Sequence, residues 1–176
     1  MVLFAGASET YKRWSWEKFA KLALQIVQKH DLEIKIVGSK TELKIADLMV
    51  DFFKNHNANT SNLIHYQNLT AKTSLLELSQ LIAASYLLLT NETVAVHLAV
   101  ATQSKAICIA NGRHFGRFSP YPKNYKTKTR YIFPPEIEKI RADEDKTALK
   151  YCNSAGLNID SIEMETVLEK VEQLLI

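Results

Sequence analysis

No stretch of this 176-residue chain approaches the roughly 18 consecutive apolar residues that a membrane-crossing helix needs. No segment is therefore expected to span a bilayer. Cysteine is scarce: Cys108 and Cys152 are the only two, too few and too far apart for a disulfide framework or a cysteine metal site, which fits a reducing cytoplasm. A net charge of +3 is too small to argue for a nucleic-acid partner. The five glycines form neither G-x-G-x-x-G nor G-x-x-x-x-G-K-[ST], so neither a nicotinamide fingerprint nor a P-loop is supported. No internal repeat or low-complexity segment occurs. The opening residues are too short and uncharged a run for a signal peptide. They read as a core strand, so the chain is expected to begin inside a longer protein.

What remains is an ordinary globular composition, 47% hydrophobic and 23% charged, expected to form one domain over residues 1–176. Residues 2–5 form a short apolar run stopped by Gly6, a strand and then a turn. Apolar positions Trp16, Phe19, Ala20, Leu22, Ala23, Ile26 and Val27 predict a helix over 16–29. A strand is predicted at 32–37, a helix at 43–53, a loop at 55–62, a strand at 63–66, a helix at 74–84, a strand at 86–89, a helix from 92 to about 102 and a strand at 106–110. Five strand–helix alternations at this spacing predict a doubly wound parallel sheet covered on both faces, an α/β fold with its core in residues 1–110. Residues 111–135 interrupt the pattern and hold all four prolines, a long basic loop of the kind that tends to be functional. Residues 136–176 read as a helical region whose final helix covers 161–175.

Four places carry chemistry. The run from Thr90 to Ala101 follows a strand and opens a helix, and a helix start above the carboxyl edge of a parallel sheet is an anion site. Thr93 and His97 lie four apart and are expected to share one helical face there. A lone histidine on an apolar helix is also an ordinary core residue, and no second histidine or cysteine gives metal spacing. The loop from Gly6 to Trp14 lies between the first strand and first helix, where small residues let the backbone approach a ligand and Lys12 supplies a point charge for phosphate. A plain connection with a surface lysine is the competing reading. Glu42, just past the second strand, is placed to accept ribose hydroxyls, or is an exposed acidic residue in a helix's first turn. No acidic residue occurs between Glu92 and Glu136, while Arg113, Arg117, Lys123, Lys126, Lys128 and Arg130 do. That segment, with His114, suits an anionic substrate, or is a solvated basic loop.

Taken together these pieces resemble glycosyltransferase family 9, the family of the lipopolysaccharide heptosyltransferases. The family's C-terminal half reads as a strand, P-G-[AS]-[ST], K-x-W-P and a helix; here stand Ala5-Gly6-Ala7-Ser8 and Lys12-Arg13-Trp14-Ser15. Its later signature, [SV]-[NV]-D-T-G-x-x-H-L-A-x-A, corresponds to Thr90-Asn91-Glu92-Thr93-Val94-Ala95-Val96-His97-Leu98-Ala99-Val100-Ala101. A serine–leucine pair that opens the preceding helix is matched by Ser74-Leu75. The likeness covers roughly residues 1–122, with Glu92 in place of the family's Asp and Val94 in place of its Gly.

The resemblance implies a Rossmann-like domain, the C-terminal half of a GT-B glycosyltransferase, binding a nucleotide-diphosphate sugar with ADP-heptose as the leading donor. It implies diphosphate contacts from Ser8 and Lys12, ribose contact from Glu42 and a base lying near the backbone around Thr73. Glu92, Thr93 and His97 would lie near phosphates and sugar. It implies transfer with inversion, a leaving group stabilised by Lys12 and a helix N-terminus without metal or other cofactor, and a general base on an N-terminal acceptor domain that this chain lacks. The acceptor would be a lipid-linked glycan, and the setting cytoplasmic, at most peripheral at the inner membrane. Alone, the chain is expected to bind nucleotide weakly and turn over little. The readings set against this are a stand-alone nucleotide-binding or regulatory module and an epimerase-like donor domain. A phosphoacceptor receiver domain is rejected because the first strand ends Ala5-Gly6, without acidic residues.

Overall fold

Alternation along each strand sorts the apolar side chains onto two faces of one sheet. The computed structural model describes residues 1–176, the side chain of Lys123 excepted. Strands β1 (Val2–Phe4), β2 (Ile34–Ile36), β3 (Tyr66–Asn68), β4 (Leu88–Asn91), β5 (Ala106–Ile109) and β6 (Thr129–Ile132) pair in the order β3-β2-β1-β4-β5-β6, every pair parallel. Leu3, Ile36, Leu89, Ile107, Ile109 and Ile132 face a core shared with helices α1 (Trp16–His30), α2 (Leu43–Ala58) and α7 (Met164–Leu175). Val2, Phe4 and Leu88 face the other way, against α3 (Leu75–Ala83) and α4 (Val94–Ala101). Further along that second face, Cys108, Ala110, Tyr131 and Phe133 pack with Phe115 and with Tyr151 at the end of α6 (Glu144–Tyr151). A single turn, α5 (Pro135–Glu138), leads out of β6. This is the doubly wound, Rossmann-like α/β fold expected.

Several boundaries differ from the sequence reading, each for a local reason. The third strand is Tyr66–Asn68, not 63–66. Asn57 brackets the backbone of Ile64, accepting from its N–H at 3.0 Å and donating to its carbonyl at 2.9 Å, so sheet pairing starts only at Tyr66 opposite Ile34. That bracket comes from α2, which runs to Ala58 through residues expected to be loop. The fourth strand is Leu88–Asn91 instead of 86–89. Thr90 and Asn91 are fully buried, and each has an internal partner for its side chain, so polar residues continue a buried strand. The segment 111–135 is not wholly a loop: Thr129–Ile132 is a sixth strand, with its Tyr131, Ile132 and the following Phe133 buried. The last helix begins at Met164, after a 3-10 turn over Ile159–Ser161.

β6 is the open edge of this side of the sheet. Its outward backbone groups are partly capped, Thr129 N–H by the Thr127 hydroxyl at 3.2 Å and the Tyr131 carbonyl by Arg141 at 2.9 Å, which blunts the edge against pairing with another strand.

Candidate functional site

The strand order reverses between β1 and β4. Chain leaving β1 turns to one face and chain leaving β4 to the other, which opens a crevice at the carboxyl ends of the two strands. Asn91, the last residue of β4, builds that crevice. Its side-chain amide donates to the carbonyls of Ala5 at 2.8 Å and Gly6 at 3.2 Å, and its oxygen accepts from Trp14 N–H at 3.1 Å. One buried side chain thus fixes both ends of the loop between β1 and α1. Asn111 does a similar service just past β5, donating to the Tyr11 carbonyl at 3.4 Å. Neither asparagine was among the residues picked out from sequence. The readable signal was an Asn within two residues of the end of each of two apolar runs that end side by side.

Within the loop, Trp14 is fully buried, stacks edge-on to Phe19 at 5.1 Å and donates its indole N–H to the Ile162 carbonyl at 2.9 Å. Arg13 donates to the Ala7 carbonyl at 2.8 Å. These contacts leave Ser8 exposed with its hydroxyl unengaged, and Lys12 half-exposed beside the Tyr11 ring at 5.9 Å with no carboxylate paired to it among the described residues. A lysine held this way is a free cation on the crevice rim.

Glu42 is not the exposed helix-start residue of the plainer reading. It is 7% exposed and closes a capping box with Ser39. Its Oε2 accepts from Ser39 N–H at 2.8 Å and Ser39 Oγ at 2.7 Å, and its Oε1 accepts from the Thr41 hydroxyl at 2.7 Å, with Arg13 at 3.9 Å. Its methylenes fill the space over Gly6 and Gly38: a Cβ built on Gly6 would lie 2.2 Å from Glu42 Cγ. Only glycine at 6 lets the β1 loop and this carboxylate share the crevice floor. Burial pushes the Glu42 pKa up, but the bonds from Ser39 and Thr41, helped by Arg13, outweigh it and hold the group below its ordinary value near 4.5. The folded pKa lies below the unfolded one, so the stabilisation is present above the unfolded value and is lost as pH falls through the folded value. Glu42→Gln should therefore be less stable than the parent by about 1–2 kcal/mol at pH 7. The gap should close as pH falls from the ordinary carboxyl value through the lower folded one; urea unfolding across an acid-to-neutral pH series measures it.

Thr73 lies between β3 and α3, and its loop reaches the same region, since Ala71 N–H donates to the Gly38 carbonyl at 2.8 Å. Ser74 caps α3 in a second capping box with Glu77, as the serine–leucine pair suggested.

On the other rim, α4 starts at Val94, not at Glu92. Thr93 is its N-cap in extended conformation, accepting from Ala95 N–H at 3.2 Å. The Thr93 hydroxyl is therefore engaged as a cap, while His97, four residues on, is engaged by Tyr121. The Thr93 and Val94 N–H groups have no protein partner among the described residues. His97 turns to Tyr121, Nδ1 lying 2.9 Å from the phenol oxygen, and lines a cavity of about 290 Å³ with Arg117, Phe118, Tyr121 and Tyr125. Glu92 points away from the crevice surface. Its side chain is 6% exposed, accepts from the Ser119 hydroxyl and lies 3.4 Å from His114 Nδ1. The longer carboxylate, where the family motif has aspartate, fastens the basic segment. Arg113 stacks over the Tyr11 ring at 5.7 Å, next to Lys12, while Arg117 lies over Phe118 at 4.8 Å and bonds Asn153 at 3.3 Å. The Lys12 turn and the α4 start are thus linked through Tyr11, Arg113, His114 and Glu92. Cys108 lies beneath, its thiol pushed up by burial and by the Glu92 charge, an inert core residue.

A model of the family described as Glycosyltransferase family 9 (heptosyltransferase) matches residues 1–146. The chain belongs to glycosyltransferase family 9. Among curated members of this family, it is similar to lipooligosaccharide heptosyltransferase 2 of Campylobacter jejuni, serotype O:2. The two are 33% identical over 110 residues, which is 62% of this chain and 32% of that protein. Among solved structures it superposes on ADP-heptose LPS heptosyltransferase II of E. coli with a TM-score of 0.71 at 21% identity, covering 99% of this chain and 45% of that one. E. coli heptosyltransferase WaaC with ADP gives a TM-score of 0.66 at 15% identity, covering 98% and 43%. The chain thus spans about a third of the curated relative and under half of each solved chain, and has the Rossmann-like fold of one half of these GT-B family members. No helix among the described residues is long and apolar enough to cross a membrane.

Proposed function

We propose that the crevice between the Lys12 turn and the start of α4 holds the diphosphate of a nucleotide sugar. On this reading the chain is the donor-binding half of an inverting glycosyltransferase in lipopolysaccharide or related surface-glycan synthesis. The observation that carries the reading is Asn91: it ties the β1 loop to β4, which supports an unpaired lysine on one rim and the unpartnered N–H groups of a helix start on the other facing one crevice. Such preorganised positive groups suit a departing diphosphate, and they supply that stabilisation without requiring a metal. Ser8 and Lys12 would meet the phosphates, and Glu42 would accept a ribose hydroxyl on Oε1 beside Thr41. The backbone around Thr73 would border the base, and His97 would face the sugar in its aromatic cavity. ADP-heptose is the donor this reading names, in keeping with the ADP and ADP-heptose that the solved relatives' descriptions mention. The acceptor's general base and the lipid-linked acceptor itself belong to a second half.

Calorimetric titration tests this directly. ADP should bind the chain more tightly than UDP or GDP, and Lys12→Ala should weaken ADP about tenfold or more, the worth of one charge-assisted contact. Equal binding of all three nucleotides would remove ADP as the donor base, and unchanged affinity in Lys12→Ala would remove the proposed phosphate site.

A further inference from the structure

The outer edge of the sheet carries a second cavity, of about 440 Å³, which backs onto the His97 cavity across the shared Pro120–Pro122 segment. It runs along β6 from the Pro120–Pro122 segment to α7. Lys126, Arg130, Arg141 and Lys170 line it, and Glu144 is the single carboxylate among its lining residues. Arg141 is already paired with Glu138 at 2.8 Å. Lys170 donates to the neutral Gln173, at 3.0 Å, and Lys126 and Arg130 have no carboxylate partner among the described residues, so the cavity's four cations outnumber Glu138 and Glu144 and leave it net positive.

Its floor is stranger than its walls. Thr129 and Tyr131, two apart on β6, point to the same face of the sheet and both line the cavity. Thr129 is 5% exposed and Tyr131 6%; the Thr129 Oγ1 atom is buried without a hydrogen-bond partner, and the buried Tyr131 Oη has only the Tyr121 backbone N–H near it, which leaves its own O–H donor unpaired. Buried hydroxyls left unpaired destabilise a fold, and native proteins rarely keep two side by side without a use for them. Two hydroxyl donors in the lining of a net-positive cavity match a tetrahedral anion with several acceptor oxygens.

We propose that this edge cavity is a phosphate-ester site, separate from the donor crevice and independent of the donor reading. The ester takes hydroxyl donation from Thr129 and Tyr131 and charge from Lys126, Arg130 and Lys170. Its substituent occupies the remaining volume toward Pro120–Pro122. The phosphate of an anionic lipid headgroup and that of a soluble phosphate ester present the same chemistry to these groups.

The test uses the full chain and two probes: glycerol 3-phosphate by calorimetry, and vesicles of phosphatidylglycerol in phosphatidylcholine by sedimentation. Wild type should bind at least one. Binding to vesicles alone assigns a lipid headgroup; binding of glycerol 3-phosphate assigns a soluble ester. Arg130→Ala with Lys170→Ala removes two exposed charges and should weaken binding about tenfold or more. Thr129→Val keeps the shape and removes one hydroxyl. It should weaken binding severalfold while raising Tm by about 2–4 °C, because the unpaired hydroxyl is gone. A structural role for Thr129 would lower Tm instead. Failure of wild type to bind either probe, or unchanged binding in both variants, overturns the site. ADP titration of the same samples should be unaffected, so loss of this site and loss of the donor reading are told apart.

Discussion

Asn91→Ala will lose about 3–4 kcal/mol of folding free energy, enough to threaten a domain of this size. The residue is fully buried and makes three hydrogen bonds, to Ala5, Gly6 and Trp14. Truncation strands two carbonyls and an N–H in the interior, at about 1–3 kcal/mol for each group left unpaired. Asn91→Asp distinguishes this from simple loss of volume. It fills the same space but sets an oxygen, not an N–H donor, against the Ala5 and Gly6 carbonyls. A neutral carboxyl can donate where a carboxylate cannot, so Asn91→Asp should regain stability as pH falls, whereas Asn91→Ala should not. Urea denaturation of both variants at pH 7 and pH 4.5 reads the difference. Equal losses in both at both pH values would mean that the amide is not what ties the loop.

Trp14→Ala is expected to be as damaging or more so, about 3–5 kcal/mol. The indole is 1% exposed, packs edge-on to Phe19, and its N–H reaches the carbonyl of Ile162, joining the β1 loop to the segment that enters α7. Trp14→Phe keeps most of the apolar surface and loses the N–H, so about 1–2 kcal/mol should separate it from wild type. If Trp14→Phe proved as unstable as Trp14→Ala, the Ile162 bond would outweigh the packing, contrary to this account. The two residues act on the same loop, and the double variant should fall short of additive.

Much of the fold was legible because its strands alternate between two covered faces and its helices carry continuous apolar stripes. The parallel order followed from that alternation, and the strand-to-helix turn at Thr90–Thr93 could be read as a helix start. Failures came where a side chain took over a backbone's role. Asn57 holds Ile64 out of the sheet, and Asn91 makes a polar residue a good strand end. β6 was hidden because Thr-Arg-Tyr-Ile is only four residues long and lies among prolines and lysines. At the candidate site, spacing and motif singled out Lys12, Ser8 and His97, and the structure puts the first two in the β1 loop and the third against Tyr121. The orientation of Glu92 could not: one extra methylene relative to aspartate is invisible to periodicity, yet it carries the carboxylate into Ser119 and His114. Asn91 and Asn111 went unnoticed because sequence patterns weigh groups that titrate, and an amide that ties two loops together does not titrate.

The central claim is that the Lys12 turn and the start of α4 grip one diphosphate. Amide chemical-shift mapping of the isotopically labelled chain with ADP addresses it most directly. The account predicts that the N–H groups of Gly6 through Arg13 and of Thr93 through Val96 shift together, at one saturating concentration, and that both sets stay still with adenosine. Shifts in one set without the other, or equal shifts with adenosine, would contradict it.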